Sequence, residues 1–503
     1  MTVLAHRVTA SDSNDQLTRD ALAVLQPGFE GTTAPAWLLR RVGEGLTAVG
    51  LFGRNIASPE QLAALTAQLR AERDDVLVAI DEEGGDVTRL EARGGSSFPG
   101  NLALGAVDDT ALTRDVAREL GRRLAECGVN LNWAPSADVN SDPDNPVIGV
   151  RSFGADTHLA ARHTAAYVEG LQAAGVAACT KHFPGHGDTN VDSHHALPRI
   201  DVDLDTLVAR ELVPFKAAIA AGTKAVMSAH ILVPALDPTR PATLSPQILT
   251  GLLRKELGYE GLIVTDGMEM NAIAGTYGIE RGSVLAIAAG ADAICVGGGL
   301  ADEATVLRLR DALVAAVREG TIPAERLADA AARVRALAAW TRQARAAAAP
   351  GAPQEGSAPG IGLAAARRAV VVSGTAAPVS AAPYVATLAP VANIAVGDET
   401  PWGVAAELAA LVPGTGSGVF PEGATATDIL TAAGGRTVVA VVRDAHRHPW
   451  MAQALDALVA ARPDTVVVEM GVPQAAPRGA LYIATHGASR VCGAAAAEII
   501  AGA

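Results

Sequence analysis

Short apolar segments alternate with amphipathic ones through the first two thirds of this 503-residue chain, and that alternation limits its fold more than any other feature. Segments such as Leu104–Cys127 and Leu159–Ala174 carry apolar residues at helical spacing. Strands that alternate with helices pair in parallel through right-handed crossovers. The predicted strands are Ala48–Phe52, Val76–Ile80, Val129–Trp133, Val176–Thr180, Ala225–Ser228, Leu262–Thr265 and Ala293–Val296. Seven or eight such units predict an α/β protein built on a (β/α)8 TIM-type barrel.

Polar residues gather directly after the carboxyl ends of these strands. They are Arg54, Asn55, Asp81, Glu82, Glu83, Asp138, Lys181, His182, His230 and Asp266. The active face of a (β/α)8 barrel lies on that side, so this distribution predicts a site that draws on many strands. An open doubly wound sheet is the alternative, but its site would use fewer strands.

The last third of the chain predicts a smaller α/β sandwich domain. Residues 343–359 are rich in proline, glycine and alanine, which is typical of a linker. This linker separates a barrel over residues 1–342 from a C-terminal domain over residues 360–503. The strands predicted in that domain are Ala369–Val372, Ile394–Val396, Val438–Val442 and Val466–Val468, in an open parallel sheet.

Composition and charge exclude several classes of protein. Hydrophobic residues make up 49% and charged residues 19%, which predicts a globular chain. The formal net charge of −14 argues against nucleic acid or an anionic membrane as a partner. The sequence opens without the pattern of a secretory leader and holds no apolar span of membrane length, so a cytoplasmic location is expected. The four cysteines lack zinc-like spacing and are expected to be buried thiols.

The segment from Lys181 to Pro198 concentrates chemistry that operates near neutral pH. Four of the 11 histidines fall in it, together with Lys181 and two aspartates. This composition suits a loop that leaves a strand and crosses a cavity. It indicates proton transfer or metal binding. On a loop, Asp192 can orient the imidazole of His194 two residues later. The same two residues could equally be solvated loop side chains without a catalytic role.

This segment resembles the signature of glycoside hydrolase family 3, in the branch of β-N-acetylglucosaminidases. The resemblance is carried by Lys181-His182-Phe183-Pro184-Gly185-His186-Gly187 and by Asp192-Ser193-His194. It implies that Lys181 and His182 bind the sugar and that Asp192 and His194 form an acid/base dyad. Many members of the family also carry an α/β sandwich after the barrel, as predicted here.

Asp266 directly follows the apolar strand Leu262–Thr265. A carboxylate at the top of a barrel strand can attack an anomeric carbon, but an aspartate there can equally cap the next helix. The residues alone leave both interpretations open. The resemblance to family 3 assigns Asp266 as the nucleophile, and it leaves the nearby Glu269 as a structural or loop residue.

The segment Asp81-Glu82-Glu83-Gly84-Gly85-Asp86-Val87-Thr88-Arg89 resembles the sugar-binding loop of the family. The resemblance implies that Asp81, Arg89 and the more distant Arg151 bind the sugar. Glu82 and Glu83 are expected to be buried in the turn. Asp86 departs from the family pattern because a basic residue is common at that position in relatives.

The resemblance implies an exo-acting, retaining enzyme that hydrolyses terminal β-linked GlcNAc from small glycosides, such as chitin or muropeptide fragments. A small carbohydrate is the only partner predicted, and no cofactor is expected. A β-N-acetylglucosaminide phosphorylase or a broader β-glycosidase is the alternative within the family. Two alternatives belong to other classes: a metal-dependent hydrolase that uses His182, His186 and His194, and a sugar-binding protein without catalysis.

Overall fold

A computed structural model of the chain describes residues 10–189, 191, 197–347, 360–375, 377–379, 381–391, 396 and 399–503. The first eight strands are β1 (Leu25–Pro27), β2 (Ala48–Leu51), β3 (Leu77–Ile80), β4 (Leu131–Asn132), β5 (Ala177–Phe183), β6 (Ala225–Ser228), β7 (Leu262–Thr265) and β8 (Ile294–Val296). Strands β2 to β7 form one sheet in sequence order, and every neighbouring pair is parallel. Strand β1 pairs in parallel with β8, and a parallel bridge from Val264 to Ala293 joins β7 to the start of β8. The predicted α/β fold with a parallel sheet is confirmed, and among these eight strands β1 is the one that the sequence did not predict.

Helices cover the outside of these sheets. Those before residue 348 are α1 (Ala10–Ala23), α2 (Ala36–Glu44), α3 (Pro59–Glu72), α4 (Asn101–Val107), α5 (Thr110–Glu126), α6 (Thr157–Ala173), α7 (Leu204–Thr206), α8 (Leu212–Ala220), α9 (Asn271–Tyr277), α10 (Ile279–Ala289), α11 (Glu303–Arg318) and α12 (Ala324–Ala347). Leu207–Glu211 and Gln247–Glu256 are π-helical. The predicted helix Leu104–Cys127 is divided into α4 and α5, because the Asp109 side chain caps α5 by accepting hydrogen bonds from Ala111 N and Leu112 N, both at 3.1 Å. None of the described helices is long and apolar enough to cross a membrane.

The side chains inside the parallel sheet are mostly small or aliphatic. They include Ala48, Leu77, Ala79, Leu131, Ala177, Ala225, Val264 and Ala293, all fully or almost fully buried. Trp133 is the large member of this cluster, and Gly50 makes room for it, since a Cβ on Gly50 would lie 2.9 Å from the indole ring. Alanine, leucine and valine therefore fill the interior, as the aromatic content of 3% requires.

A second sheet lies near the carboxyl terminus. Its strands are β9 (Val371–Gly374), β10 (Tyr384–Leu388), β11 (Gly416–Phe420), β12 (Val438–Val442), β13 (Val466–Glu469) and β14 (Leu481–Ala484), in the order β11-β10-β12-β13-β14-β9. Helices α13 (Ile361–Ala369), α14 (Ala405–Leu411), α15 (Ala426–Ala433), α16 (Pro449–Ala461) and α17 (Arg490–Ala501) accompany it. We call the described residues from 10 to 347 the amino-terminal unit and those from 360 to 503 the carboxyl-terminal unit.

Two predictions about this region were wrong in part. The sheet is mixed, because β9 pairs antiparallel with β14 at one edge. Strand–helix alternation predicts parallel pairing only for strands joined by a crossover, and β9 and β14 stand at opposite ends of the unit. The predicted linker also begins too early, since α12 continues to Ala347. Of the predicted strand Ile394–Val396, residues 394 and 395 lie outside the described residues.

Candidate active site

The carboxyl ends of the parallel strands bring most of the predicted site residues to one edge of the sheet. Asp81 directly follows β3, and Asp266 directly follows β7. Lys181 and His182 lie inside β5, which continues three residues beyond its predicted end. This extension has a clear cause: Lys181 N donates to Pro135 O at 3.0 Å, and Ala137 N donates to Lys181 O at 2.6 Å. The sequence placed Lys181 and His182 on a loop, and the structure corrects this to a buried strand.

Lys181 lies at the centre of a buried cluster of charges. Its ammonium group is 2.5 Å from Asp81 Oδ1 and 2.6 Å from Glu83 Oε1. Arg151 forms a two-pronged ion pair with Glu83, with Nε 3.0 Å from Oε2 and a terminal nitrogen 2.6 Å from Oε1. Two cations therefore face two carboxylates, so the cluster is neutral overall and can be buried without an unpaired charge.

The cluster keeps Glu83 and Lys181 ionised. Burial alone would raise the pKa of Glu83, but Arg151 and Lys181 overcome that effect and hold it well below its usual range. Burial alone would lower the pKa of Lys181, but the carboxylates of Asp81 and Glu83 raise it above its usual value. The site thus presents a permanent ammonium donor beside Asp81, whose side chain is partly exposed. Such a pair can hold two hydroxyl groups of a sugar ring.

His182 is oriented by Asp138, a residue of the strand-end group that the sequence did not single out. His182 Nδ1 is 2.7 Å from Asp138 Oδ2, and His182 N and His186 N both donate to Oδ1, at 3.2 and 2.7 Å. Burial alone would raise the pKa of Asp138, but His182 and His186 lower it well below its usual range. The carboxylate therefore fixes the imidazole, whose Nε2 lies 3.5 Å from an Arg151 nitrogen.

The buried imidazole of His186 should make the free energy of unfolding depend on pH. Burial, reinforced by neighbouring His182, lowers the pKa of His186 to about 4 from 6.5. Because the folded pKa is depressed, the unfolded chain takes up a proton first as the pH falls below 6.5. The stability that neutral His186 contributes is therefore fully present above pH 6.5 and is lost as the pH falls toward 4.

When the pH is lowered from 7 to 5, the free energy of unfolding should fall in both proteins. We expect the decrease to be about 2 kcal/mol smaller in His186→Gln than in the wild type. Urea unfolding at the two pH values measures this difference. His158→Gln is the control, because His158 is exposed on α6 and its loss should keep the wild-type pH dependence. Equal slopes for all three proteins would contradict a depressed pKa at His186.

Asp266 is placed by the backbone around it. Its amide donates to Ser228 O at 3.2 Å, and its Oδ1 accepts a hydrogen bond from Gly267 N at 2.8 Å. The side chain is partly exposed at the carboxyl edge. His230 supports this turn from below, since its ring lies 3.0 Å from Gly267 O and 2.8 Å from Thr243 Oγ1. The next helix, α9, begins at Asn271, so Asp266 does not lie at its cap position.

Glu269 has a structural contact, as the sequence predicted. Its Oε1 accepts hydrogen bonds from Gly297 N at 2.9 Å and from Gly298 N. Glu82 is likewise buried in its turn and accepts from Arg89 N at 2.7 Å and Leu90 N at 2.8 Å. Burial raises the pKa of Glu82 to about 7. Both acids therefore hold loops in place.

The remaining predicted residues have different outcomes. Arg89 lies 3.8 Å from Asp81, close enough for the two to share a ligand. Asp192 and His194 lie outside the described residues. Direct contact of Arg151 with a sugar stays a prediction, because the observed partners of its guanidinium are Glu83, Val147 O and His182. Within the described ranges, no three His, Cys, Asp or Glu residues are grouped to hold a metal ion.

The geometry agrees with what the chain resembles. The model "Glycosyl hydrolase family 3 N terminal domain" matches residues 38–337, which is more than half of the chain. The chain belongs to glycosyl hydrolase family 3. The resemblance predicted from the segments at Asp81 and Lys181 is thus confirmed.

Relatives of this family 3 chain carry related names. Beta-hexosaminidase A of Pseudoalteromonas piscicida is 37% identical over 312 residues, 57% of this chain and 52% of that protein. A beta-hexosaminidase of Neisseria gonorrhoeae is 36% identical over 265 residues, 51% of this chain and 73% of that protein. The match thus spans about half the length of the Pseudoalteromonas relative.

A solved structure resembles the family 3 chain over nearly its whole length. It is a glycoside hydrolase family 3 beta-N-acetylglucosaminidase from Paenibacillus sp. str. FPU-7, with 35% identity and a TM-score of 0.85. The similarity covers 97% of this chain and 96% of that one. Both units of the present chain therefore have counterparts in one known structure.

Two acids that pair with charged or titratable residues in this family 3 site escaped sequence reasoning. Asp138 was noted only as a polar residue after a strand, and Glu83 only as a turn residue. Their shared signal was an acid a few residues after the end of an apolar strand. Which of those acids meets a histidine or an arginine depends on partners 44 and 68 residues away.

Proposed function

We propose that the chain is an exo-acting, retaining β-N-acetylglucosaminidase that releases terminal β-linked GlcNAc from small glycosides. The observation that carries the proposal is the arrangement of Asp266, Asp81 and Lys181 along one carboxyl edge. A partly exposed carboxylate after β7 shares that edge with a buried ammonium–carboxylate pair after β3 and in β5. A nucleophile and a sugar-binding pair on one edge are two of the parts that a retaining glycosidase requires, beside a general acid/base. The names of the relatives support the choice of sugar.

In the proposed mechanism, Asp81, Lys181, His182 and Arg89 hold the terminal sugar. Asp266 attacks the anomeric carbon, forming a covalent glycosyl-enzyme as the glycosidic bond breaks. His194, supported by Asp192, gives its proton to the departing oxygen. Water then attacks the anomeric carbon, His194 takes its proton, and the bond to Asp266 breaks. The proton balance closes, and both carboxylates return to their ionised state.

The proposal includes the larger architecture. The sheet of β2 to β7 and the pair β1–β8 act as one (β/α)8 catalytic barrel, and the carboxyl-terminal unit is a second α/β domain. The bridge between Val264 and Ala293 supports closure on one side of the barrel. The cytoplasmic location and the absence of nucleic acid partners belong to the same proposal.

Turnover of aryl β-GlcNAc beside aryl β-glucoside tests the function directly. We expect the GlcNAc substrate to be preferred and an added chelator to leave the rate unchanged. The same assay in phosphate buffer distinguishes hydrolysis from phosphorolysis, because only the latter yields GlcNAc-1-phosphate. Loss of activity with chelator would favour the metal-dependent alternative, and tight GlcNAc binding without turnover would favour the sugar-binding one.

We expect His194→Ala to reduce kcat/KM for glycosides with poor leaving groups far more than for activated aryl glycosides. The reason is that a good leaving group departs without a proton. The decrease in kcat/KM on loss of the general acid should therefore be roughly 10²-fold smaller for an activated aryl glycoside. Asp192→Ala should act in the same direction with a smaller effect. Rates over a series of aryl substituents measure the difference.

The neighbouring His195 supplies the control for this experiment. His195→Ala should leave the leaving-group dependence as it is in the wild type. Equal losses across the whole series of substrates for His194→Ala would remove it from the role of general acid.

A further inference from the structure

The sugar-binding loop, residues 81–89, is attached to the carboxyl-terminal unit as well as to its own strand. Asp86 lies in the middle of this loop and is buried, with 5% of its surface exposed. Its carboxylate pairs with the guanidinium of Arg443, and its Oδ1 accepts a hydrogen bond from Ala488 N at 2.7 Å. The departure from the family pattern at Asp86 is therefore a contact between the two units, away from the pocket.

The contacts continue along the chain beyond Asp86. Arg490 Nε donates to Gly95 O at 3.4 Å, and Val491 N donates to Ser96 O at 3.4 Å. Helix α13 approaches so closely that a Cβ on Gly362 would lie 1.9 Å from Ser97 O. The whole segment from the sugar-binding loop to Ser97 is thus packed against the carboxyl-terminal unit.

The loop that follows β4 is covered by the same unit. His446 Nε2 lies 2.8 Å from Pro143 O, and a Cβ on Gly149 would contact Val472 at 3.7 Å. The covering residues follow β12, β13 and β14, so the carboxyl ends of both sheets meet at one interface. In open α/β sheets this end is where ligands bind. In this protein, the carboxyl end of the second sheet supports the loop that precedes Arg151 and the loop that begins at Asp81.

Arg443 is held firmly enough to act as a support. The turn after it is fixed by Glu469, whose carboxylate accepts hydrogen bonds from Asp444 N at 2.8 Å, Ala445 N at 3.2 Å and Gly471 N at 2.8 Å. Asp444 Oδ1 in turn accepts from Val472 N at 2.8 Å. The guanidinium therefore projects from a rigid turn rather than from a free loop.

A displacement of Asp86 would reach the predicted sugar ligands through short connections. Glu83 N donates to Val87 O at 3.1 Å, which closes the turn around Asp86. The carboxylate of Glu82 holds Arg89 N on one side of the turn, and Asp81 precedes Glu82 on the other. These hydrogen bonds link the outer attachment of the turn at Asp86 to the backbone of Asp81 and Arg89.

We propose that Arg443 of the carboxyl-terminal unit is a positioning residue for the sugar-binding loop, acting through its ion pair with Asp86. This proposal rests on the proposed function only for the identity of the ligand that the loop binds, a GlcNAc residue. Arg443 contacts no substrate in this scheme. Removing its charge leaves a buried carboxylate unpaired, and the loop relaxes away from its binding position.

The test compares Arg443→Met with Arg368→Met in the full-length protein. Arg368 also pairs with the other unit, at 2.9 Å from Asp109, but its partner caps α5 on the outside of the molecule. We expect Arg443→Met to raise KM for aryl β-GlcNAc roughly tenfold with kcat changed less than about threefold, because binding rather than chemistry is weakened. Arg368→Met should keep both constants, and Arg443→Lys should recover most of the loss in KM.

Hydrogen exchange gives a second readout that does not depend on turnover. The amides of residues 84–90 should exchange faster in Arg443→Met and in Asp86→Asn than in the wild type or in Arg368→Met. If the wild type fails to turn over the GlcNAc substrate, the proposed function falls while faster exchange still supports the positioning role. If Arg443→Met leaves the exchange of this loop unchanged, or changes KM no more than Arg368→Met does, the positioning role is overturned.

Discussion

Asp266→Asn should lower kcat for aryl β-GlcNAc by roughly 10⁴- to 10⁶-fold and leave the melting temperature almost unchanged. An amide oxygen is too weak a nucleophile to form the glycosyl-enzyme. It can still accept the hydrogen bond from Gly267 N, which is the contact that places the side chain. Activity and fold are therefore separable at this position.

A slow fluorosugar substrate gives the positive half of the Asp266 test. It should leave a covalent adduct on the peptide Leu262–Met270 of the wild type and none on Asp266→Asn. Glu269→Gln is the matched control, because Glu269 lies in the same peptide and its contacts are with Gly297 N and Gly298 N. An adduct on another carboxylate would assign the nucleophile elsewhere.

Lys181→Met should lower kcat/KM by about 10²- to 10³-fold, the second largest effect that we expect. The ammonium is the donor beside the partly exposed Asp81, and methionine fills the same space without a charge. Glu83 keeps its two-pronged pair with Arg151, so one buried carboxylate remains neutralised. The protein should consequently still fold, with a modest loss of thermal stability.

The control for Lys181 is a lysine at the opposite end of the same sheet. Lys224 precedes β6 and lies over the Trp340 ring, 5.2 Å from its centre. Lys224→Met should change kcat/KM little, even where it lowers the melting temperature. If Lys181→Met loses activity only in proportion to its loss of folded protein, its role is structural.

Several features of the fold were predictable because they depend on local pattern. Strands β6 and β7 were predicted to the residue, since each is a short run of buried, mostly apolar residues. Their parallel order follows from the helices between them. The collection of Asp81, Lys181 and Asp266 on one edge then follows from that order, because the carboxyl ends of parallel strands coincide.

The end of β5 shows where local pattern stops being informative. A lysine and a histidine in a row predict an exposed loop, yet both residues are buried in a strand. Burial becomes tolerable only because Asp81 and Glu83 reach Lys181 and Asp138 reaches His182. Those partners are 44 to 100 residues away in the chain, beyond any periodic signal.

The α/β class, the parallel pairing of the strands, the family and the acids and bases near the strand ends could all be predicted from the amino-acid sequence. These features follow from residue type and short-range spacing, which do not depend on how the chain packs in three dimensions. The pairing of the buried charges could not be predicted and is seen only in the folded chain: Glu83 pairs with Arg151, Asp138 with His182 and Asp86 with Arg443 across the two units. A buried charge is stable only beside its partner, and which partner comes near is set by how the sheets and loops pack in space.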